Sequence, residues 1–176
     1  FKVGDKDRSI MAQHLGMPLN NWSSMYSALR YDMNAEIAVL SNLRGEIQKQ
    51  TVYKPQRNVN IADLQMHWNG EKLLFSSLDD KDRWQVYEIG TDGKGLQQKI
   101  IMDEPDLEFC DANYLPDGRI IASSNIGYHG VPCVNGSDAI GNLSLYNPQD
   151  GNLRRLTFDQ DGNWNPVVMN NGRVMY

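Results

Sequence analysis

Three segments of this chain repeat one short pattern: a polar turn closed by glycine, then a basic residue, then an apolar triplet. They read HWNGEKLLFSS at 67–77, YLPDGRIIASS at 114–124 and VMNNGRVMY at 168–176. Their apolar runs start at Leu73, Ile120 and Val174, which are 47 and 54 residues apart. A second unit is interleaved with the first, at 34–53, 86–101 and 142–158. It consists of a short apolar run, a turn containing glycine, and another short run. Its markers Ile47, Leu96 and Leu153 are 49 and 57 residues apart. Two units alternating on a common period constrain the fold more than any other feature of the sequence.

The runs are five to seven residues long, rich in Val, Ile, Leu, Tyr and Phe, and bounded by Asp-Gly, Asn-Gly or Arg-Gly. That length, composition and punctuation predict strands. Asp-Gly and Asn-Gly provide the positive φ that a tight hairpin needs. Four strands on a period near 50 residues give the blade of a β-propeller. A β-sandwich does not need two interleaved repeats. The fold class expected is therefore all-β, a propeller fragment of about two complete four-stranded blades plus two half blades.

The phase of the repeat divides the chain. Residues 1–33 form a lead-in or the inner strands of a first blade, and 34–176 form blades. The outer strands of one blade fall at about 37–53, full blades at about 62–102 and 108–158, and the final residues enter the second strand of another. Pairing the two terminal halves would close only three blades, whereas closed propellers have about four to eight. The remaining blades or flanking domains of the same protein are thus expected partners. The start at Phe1, without an initiator methionine, reads as a processed or trimmed end.

Composition narrows the function classes. With 17 basic and 22 acidic residues, net charge −5 and no basic stripe, a nucleic-acid partner is disfavoured. No apolar run reaches the roughly 20 residues of a membrane helix. Cys110 and Cys133 have no metal-type spacing, but they form a disulfide candidate in an exported protein. Asn-x-Ser/Thr patterns begin at Asn21, Asn135 and Asn142, and they matter only in a host that glycosylates.

The repeat is broken by an insertion at about 125–141, NIGYHGVPCVNGSDAIG, between the second and third strands of the second full blade. Such loops decorate one rim of a propeller, where ligands bind. Tyr128, His129 and Asp138 in this loop are ligand-binding candidates. His67, at the end of an innermost strand and directed to the channel, and Trp164, in the innermost strand of the last blade, complete the set. Asp159 and Asp161, in DQDGN at 159–163, resemble the start of a calcium loop but lack its late bidentate glutamate. Calcium is the one cofactor to weigh in this segment. The serine pairs Ser76-Ser77 and Ser123-Ser124 recur with the repeat and so read as structural. No nucleophile elbow or phosphate loop is present. Trp68, Trp84 and Trp164 read as packing between blades.

The turn LPDGRI with its paired serines resembles the TolB-like propeller repeats of exported bacterial proteins. The longer run at about 60–176, with Gly130-Val131-Pro132-Cys133, Phe158-Asp159-Gln160-Asp161 and Trp164, resembles the middle propeller domain of the hydrazine synthase alpha subunit and its uncharacterised relatives. This implies an exported protein, periplasmic or at the cell surface, whose redox chemistry would rest on c-type haems in flanking domains. The chain has no C-x-x-C-H motif. Where that family often has Cys or His, this sequence has Asn113, Gly127, Ala139, Gly162 and Asn165, which argues against a haem or metal role here. The leading expectation is a non-catalytic scaffold or binding domain for a small molecule, glycan or protein. The alternatives are a domain of a redox enzyme, and a carbohydrate-active propeller in which His67, His129 and acidic residues would converge on one channel mouth.

Overall fold

The computed structural model describes residues 30–32, 34–130, 139–160 and 162–176. Among them there are twelve strands in four antiparallel sheets, each strand pairing with its neighbour in the chain. β1 (Ile37–Ser41) and β2 (Gln48–Tyr53) form a two-stranded sheet. β3 (Ile61–Met66), β4 (Lys72–Leu78), β5 (Trp84–Gly90) and β6 (Gln97–Gln98) form a complete blade. β7 (Phe109–Tyr114), β8 (Ile120–Ser124), β9 (Asn142–Asn147) and β10 (Asn152–Arg155) form the next. β11 (Val167–Val168) and β12 (Val174–Met175) pair as a last hairpin. This is the propeller fragment expected from the repeat, with half blades before and after two full ones. Most of residues 1–33 lie outside the described residues.

The hairpins are built by one device used five times. Asn69, Asp92, Asp117, Asp150 and Asn171 each precede a glycine with φ between 71° and 85°. Each side-chain Oδ1 accepts the backbone N–H two residues on, at 2.9–3.1 Å. The Asx side chain caps the turn while glycine takes the left-handed conformation at little cost.

The apolar runs alternate between two cores. On β4, Leu73 and Phe75 face β1 and β2, joining Ala35, Ile37, Val52, Ile61 and Ile89. Leu74 faces the next blade, joining Val86, Ile100, Leu107, Phe109, Ala112, Tyr114, Ile120, Ala122 and Tyr146. Burial on both faces explains why β4 reads as a continuous run rather than as alternating polar and apolar positions. Trp84 fills a third cluster with Val59 and Leu78, against which Cys110 packs. Trp68, by contrast, is exposed in the β3–β4 turn and packs between no blades.

The seams also carry polar links. Arg30 makes a two-pronged ion pair with the buried Glu108, at 3.0 and 2.8 Å, and Glu108 Oε2 also accepts the Trp84 N–H at 2.9 Å. Buried Glu88 on β5 accepts from Lys72 and Lys99 (both 3.2 Å), from Gln97 (2.9 Å), and from the Tyr114 hydroxyl of the next blade (2.9 Å).

Candidate functional site

The antiparallel order puts the β8–β9 connection and the β10–β11 segment on the same rim of the second full blade. The β3–β4 and β7–β8 turns lie on the opposite rim. The first rim is assembled around Asn142 and Arg155. Asn142 donates to the carbonyl of Asp159 (3.1 Å) and to Asn163 Oδ1 (3.0 Å), and accepts from Arg155 at 2.7 Å. With Asn142 almost fully buried in these bonds, the Asn142-Leu-Ser pattern offers no accessible acceptor in the folded chain. Arg155 Nε donates to the carbonyl of Thr157 (2.8 Å), and its guanidinium lies 4.6 Å from the Phe158 ring centre. A Cβ on Gly127 would come within 2.6 Å of Arg155 Nη1, so glycine leaves room for the guanidinium in this position at the base of the insertion. That base is closed by a bridge between Gly130 and Ala139 and by the Ile140 N–H bonding to the carbonyl of His129 at 2.9 Å.

The result is a ledge with two exposed aromatic rings: Phe158 (73% exposed) against the Arg155 guanidinium, and Tyr128 (60%), next in the chain to the Gly127 that abuts the same guanidinium. Tyr128 has φ +50°, a left-handed conformation that a bulky residue adopts at a cost. Partial burial pushes its hydroxyl up, with the nearby Glu104 and Asp106 adding to the effect. His129 is exposed beside it. Trp164 is half-buried, and its indole Nε1 is buried with no hydrogen-bond partner. Gly162, at φ +94°, lies against that ring: a Cβ there would be 2.9 Å from Nε1.

Tyr128, His129, Asp159 and Trp164 thus belong to one rim. The Asp159 carboxylate is engaged locally, accepting from Asn163 Nδ2 at 2.8 Å. Asp161, Asp138 and Cys133 lie outside the described residues, and with them the second half of the calcium candidate, one loop ligand and the far end of the disulfide candidate. Among the described residues, no three His, Cys, Asp or Glu side chains gather as a metal site. Cys110 lies on β7, where burial, then Asp111, Asp63 and Glu108, push its thiol up. His67 is not with the rim residues. It lies in the β3–β4 turn on the opposite rim, its Nδ1 2.7 Å from Asn69 Oδ1 and its ring edge-on to Tyr114 with centres 4.7 Å apart. His67 thus stands one residue beyond innermost strand β3, with its ring against Tyr114 of the next innermost strand. The convergence of His67 and His129 that a carbohydrate-active channel requires is absent.

Sequence reasoning missed Asn142, Arg155 and Phe158. It also missed a second set, Asp63, Asp111 and Asn165, at φ 56°, 54° and 51°. These three do carry a sequence signal: they are 48 and 54 residues apart, in step with the repeat.

No protein-family profile matches the chain, and no curated protein does. Among solved structures, the chain is similar to TolB from Acinetobacter baumannii, with a TM-score of 0.53 and 18% identity over 78% of its length. It is also similar to the tricorn protease (TM-score 0.44, 19% identity, 72% of this chain and 10% of that one) and to a puromycin hydrolase (0.44, 13%, 63% and 16%). The chain spans 33% of TolB. At these identities the likeness bears on the fold, which is a TolB-like propeller.

Proposed function

We propose that this chain is the binding-scaffold part of a larger propeller in an exported bacterial protein, and that it binds its ligand on the ledge formed by Tyr128, Arg155, Phe158 and Trp164. The observation that carries this reading is the exposed Phe158 ring on a guanidinium fixed by the buried Asn142, with the exposed Tyr128 in the adjoining base of the insertion. Rigid aromatics beside a fixed cation offer stacking area and a charged hydrogen-bond donor at low entropic cost. The groups on the ledge are ones that stack and hydrogen-bond, and they support a reading of binding. The ligand class that fits is a small molecule or glycan with a flat apolar face and an anionic or polar edge.

The test is ligand screening by protein-observed NMR on the full protein, using a panel of neutral and anionic oligosaccharides. Binding is expected to shift Tyr128 and Trp164 resonances and to be lost in the Tyr128→Ala/Phe158→Ala double variant. Hits that leave those resonances unmoved and survive the double variant would refute the ledge as the site. A second reading, a domain of a hydrazine synthase alpha-like redox enzyme with its haems elsewhere, is favoured by the run from Gly130 to Trp164. It is checked in the complete reading frame, where C-x-x-C-H motifs would support it. A signal peptide and further blades without such motifs would favour the exported scaffold.

A further inference from the structure

We propose that Asn69, in the β3–β4 turn, is a self-modification site, at which His67 promotes conversion of the asparagine amide to aspartate and isoaspartate. The reaction starts when the backbone nitrogen of the following residue attacks Cγ of the asparagine. Glycine in that place has no side chain to obstruct the approach. Asn69 and Gly70 are both exposed, and a Cβ on Gly70 would meet nothing within 4 Å.

The sequence holds three Asn-Gly pairs, at 69–70, 135–136 and 171–172, and the second lies outside the described residues. The other two form a matched comparison. Both close a hairpin, with glycine φ of +74° and +79°. Gly70 N–H donates to the carbonyl of His67 and Gly172 N–H to that of Met169, each at 2.9 Å. Each asparagine Oδ1 accepts the N–H two residues on, from Glu71 at 3.0 Å and from Arg173 at 3.1 Å.

The two turns differ in what else touches the amide. Asn69 Nδ2 donates to Glu71 Oε2 at 2.8 Å, which with the Glu71 N–H fixes which atom of the amide is oxygen. That oxygen lies 2.7 Å from His67 Nδ1. An amide oxygen only accepts, so a contact this short is a hydrogen bond when Nδ1 carries the proton. The Asn69 N–H is 3.3 Å from the same nitrogen, a longer contact that the other tautomer would use. The shorter contact favours the Nδ1–H form. The imidazole is held there by its edge-on packing against Tyr114. Asn69 Oδ1 thus has two donors. Among the described residues, Asn171 Oδ1 has one, and Met169 stands where His67 would be.

The extra donor acts on the reacting atoms. As Gly70 N adds to Cγ, negative charge develops on Oδ1, and donors already aimed at that oxygen stabilise it as an oxyanion hole does. The Cγ–Nδ2 bond then breaks, and ammonia leaves with the proton shed by Gly70 N. A five-membered imide remains. Water opens it at either carbonyl, giving aspartate or isoaspartate, so one water is consumed and one ammonia released. The product sets a new carboxylate against that of Glu71, which loses its Nδ2 donor. The isoaspartate form also lengthens the backbone inside a hairpin registered by Met66↔Leu73. The rim opposite the ledge thereby gains negative charge and a looser turn. One added hydrogen bond at an exposed site corresponds to about a two- to tenfold gain in rate.

The experiment follows the intact protein at neutral pH by peptide mass spectrometry in heavy-oxygen water, with isoaspartate detected enzymatically. In the folded wild type, Asn69 is expected to convert about two- to tenfold faster than Asn171. In urea-unfolded protein the two should convert at similar rates, because the donor is lost. His67→Phe keeps a ring against Tyr114 without a donor, and should bring Asn69 down to the rate of Asn171. Met169→His, at an exposed position of the matching turn, should speed Asn171 and decides the matter should His67→Phe not fold. Equal rates in the folded wild type would overturn the proposal, as would an advantage of Asn69 that persists in urea or in His67→Phe. So would an unchanged Asn171 rate in Met169→His.

Discussion

Replacing Tyr114 by phenylalanine removes one oxygen and changes almost nothing else, and its effect can be worked from the seam it crosses. The Tyr114 hydroxyl gives Glu88 Oε2 its hydrogen bond at 2.9 Å, while the other donors, Lys72, Lys99 and Gln97, all reach Oε1. Glu88 is 3% exposed, so water does not easily take the vacated position. A hydrogen bond to a buried charged group contributes about 1.5–3 kcal/mol, and the loss expected is about 2 kcal/mol. With a urea dependence of ~2 kcal/mol/M, the unfolding midpoint falls by about 1 M. The change also has a pH signature. Burial by itself would raise the Glu88 carboxyl, but the hydrogen bond from Tyr114, followed by those from Lys99 and Lys72, holds it below the usual glutamate range. A depressed carboxyl stabilises the fold above its unfolded value of about 4.3, and that contribution is lost as pH falls through the folded value. Tyr114→Phe should therefore make acid unfolding shallower as well as lowering stability at neutral pH. In a double-mutant cycle with Glu88→Gln the two changes should couple by at least about 1 kcal/mol. A variant within about 0.5 kcal/mol of wild type, or strict additivity in the cycle, would refute the account of this seam.

Two further outcomes follow from the same structure. Arg30→Met strands the Glu108 carboxylate inside the seam, and breaking such a pair costs about 3–5 kcal/mol, measurable as a loss in urea-unfolding free energy. Gly162→Ala forces a side chain into a left-handed conformation and against Trp164 Nε1, so a loss of about 1–2 kcal/mol is expected together with a change in tryptophan fluorescence.

The blade pattern is legible in the sequence because each hairpin depends on an Asx-Gly pair whose role is local. Asn69-Gly70 and Asp117-Gly118 announce their turns without help from the rest of the chain. The insertion is legible for the same reason, as a break in a period. What the insertion packs against is not, because Arg155 meets Gly127 and Asn142 only after the strands have brought them together. Arg154 and Arg155 read alike in sequence, yet only the second turns back across the insertion. The position of His67 at the end of β3 is legible from the repeat, but its contact is not: only the assembled blades bring Tyr114 edge-on to the ring. Asp63 and Asp111 were hidden by composition, since an aspartate inside an apolar run counts against a strand unless a bulge is anticipated.

The alternation of β4, with Leu73 and Phe75 serving one core and Leu74 the next, has a thermodynamic consequence. Among the described residues the packing between sheets is mainly between consecutive ones, so stability accumulates along the arc as a series of nearest-neighbour terms, as in repeat proteins. A large-to-small change at Phe75 weakens one junction and at Phe109 the adjoining one, and the two losses communicate only through the stiffness of β4 and β5. Cooperative unfolding of the whole arc then requires each junction to be stronger than the unfolding tendency of a single blade. Polar ties that span a seam, from Arg30 to Glu108 and from Tyr114 to Glu88, raise that coupling and make separate blades melt as one body.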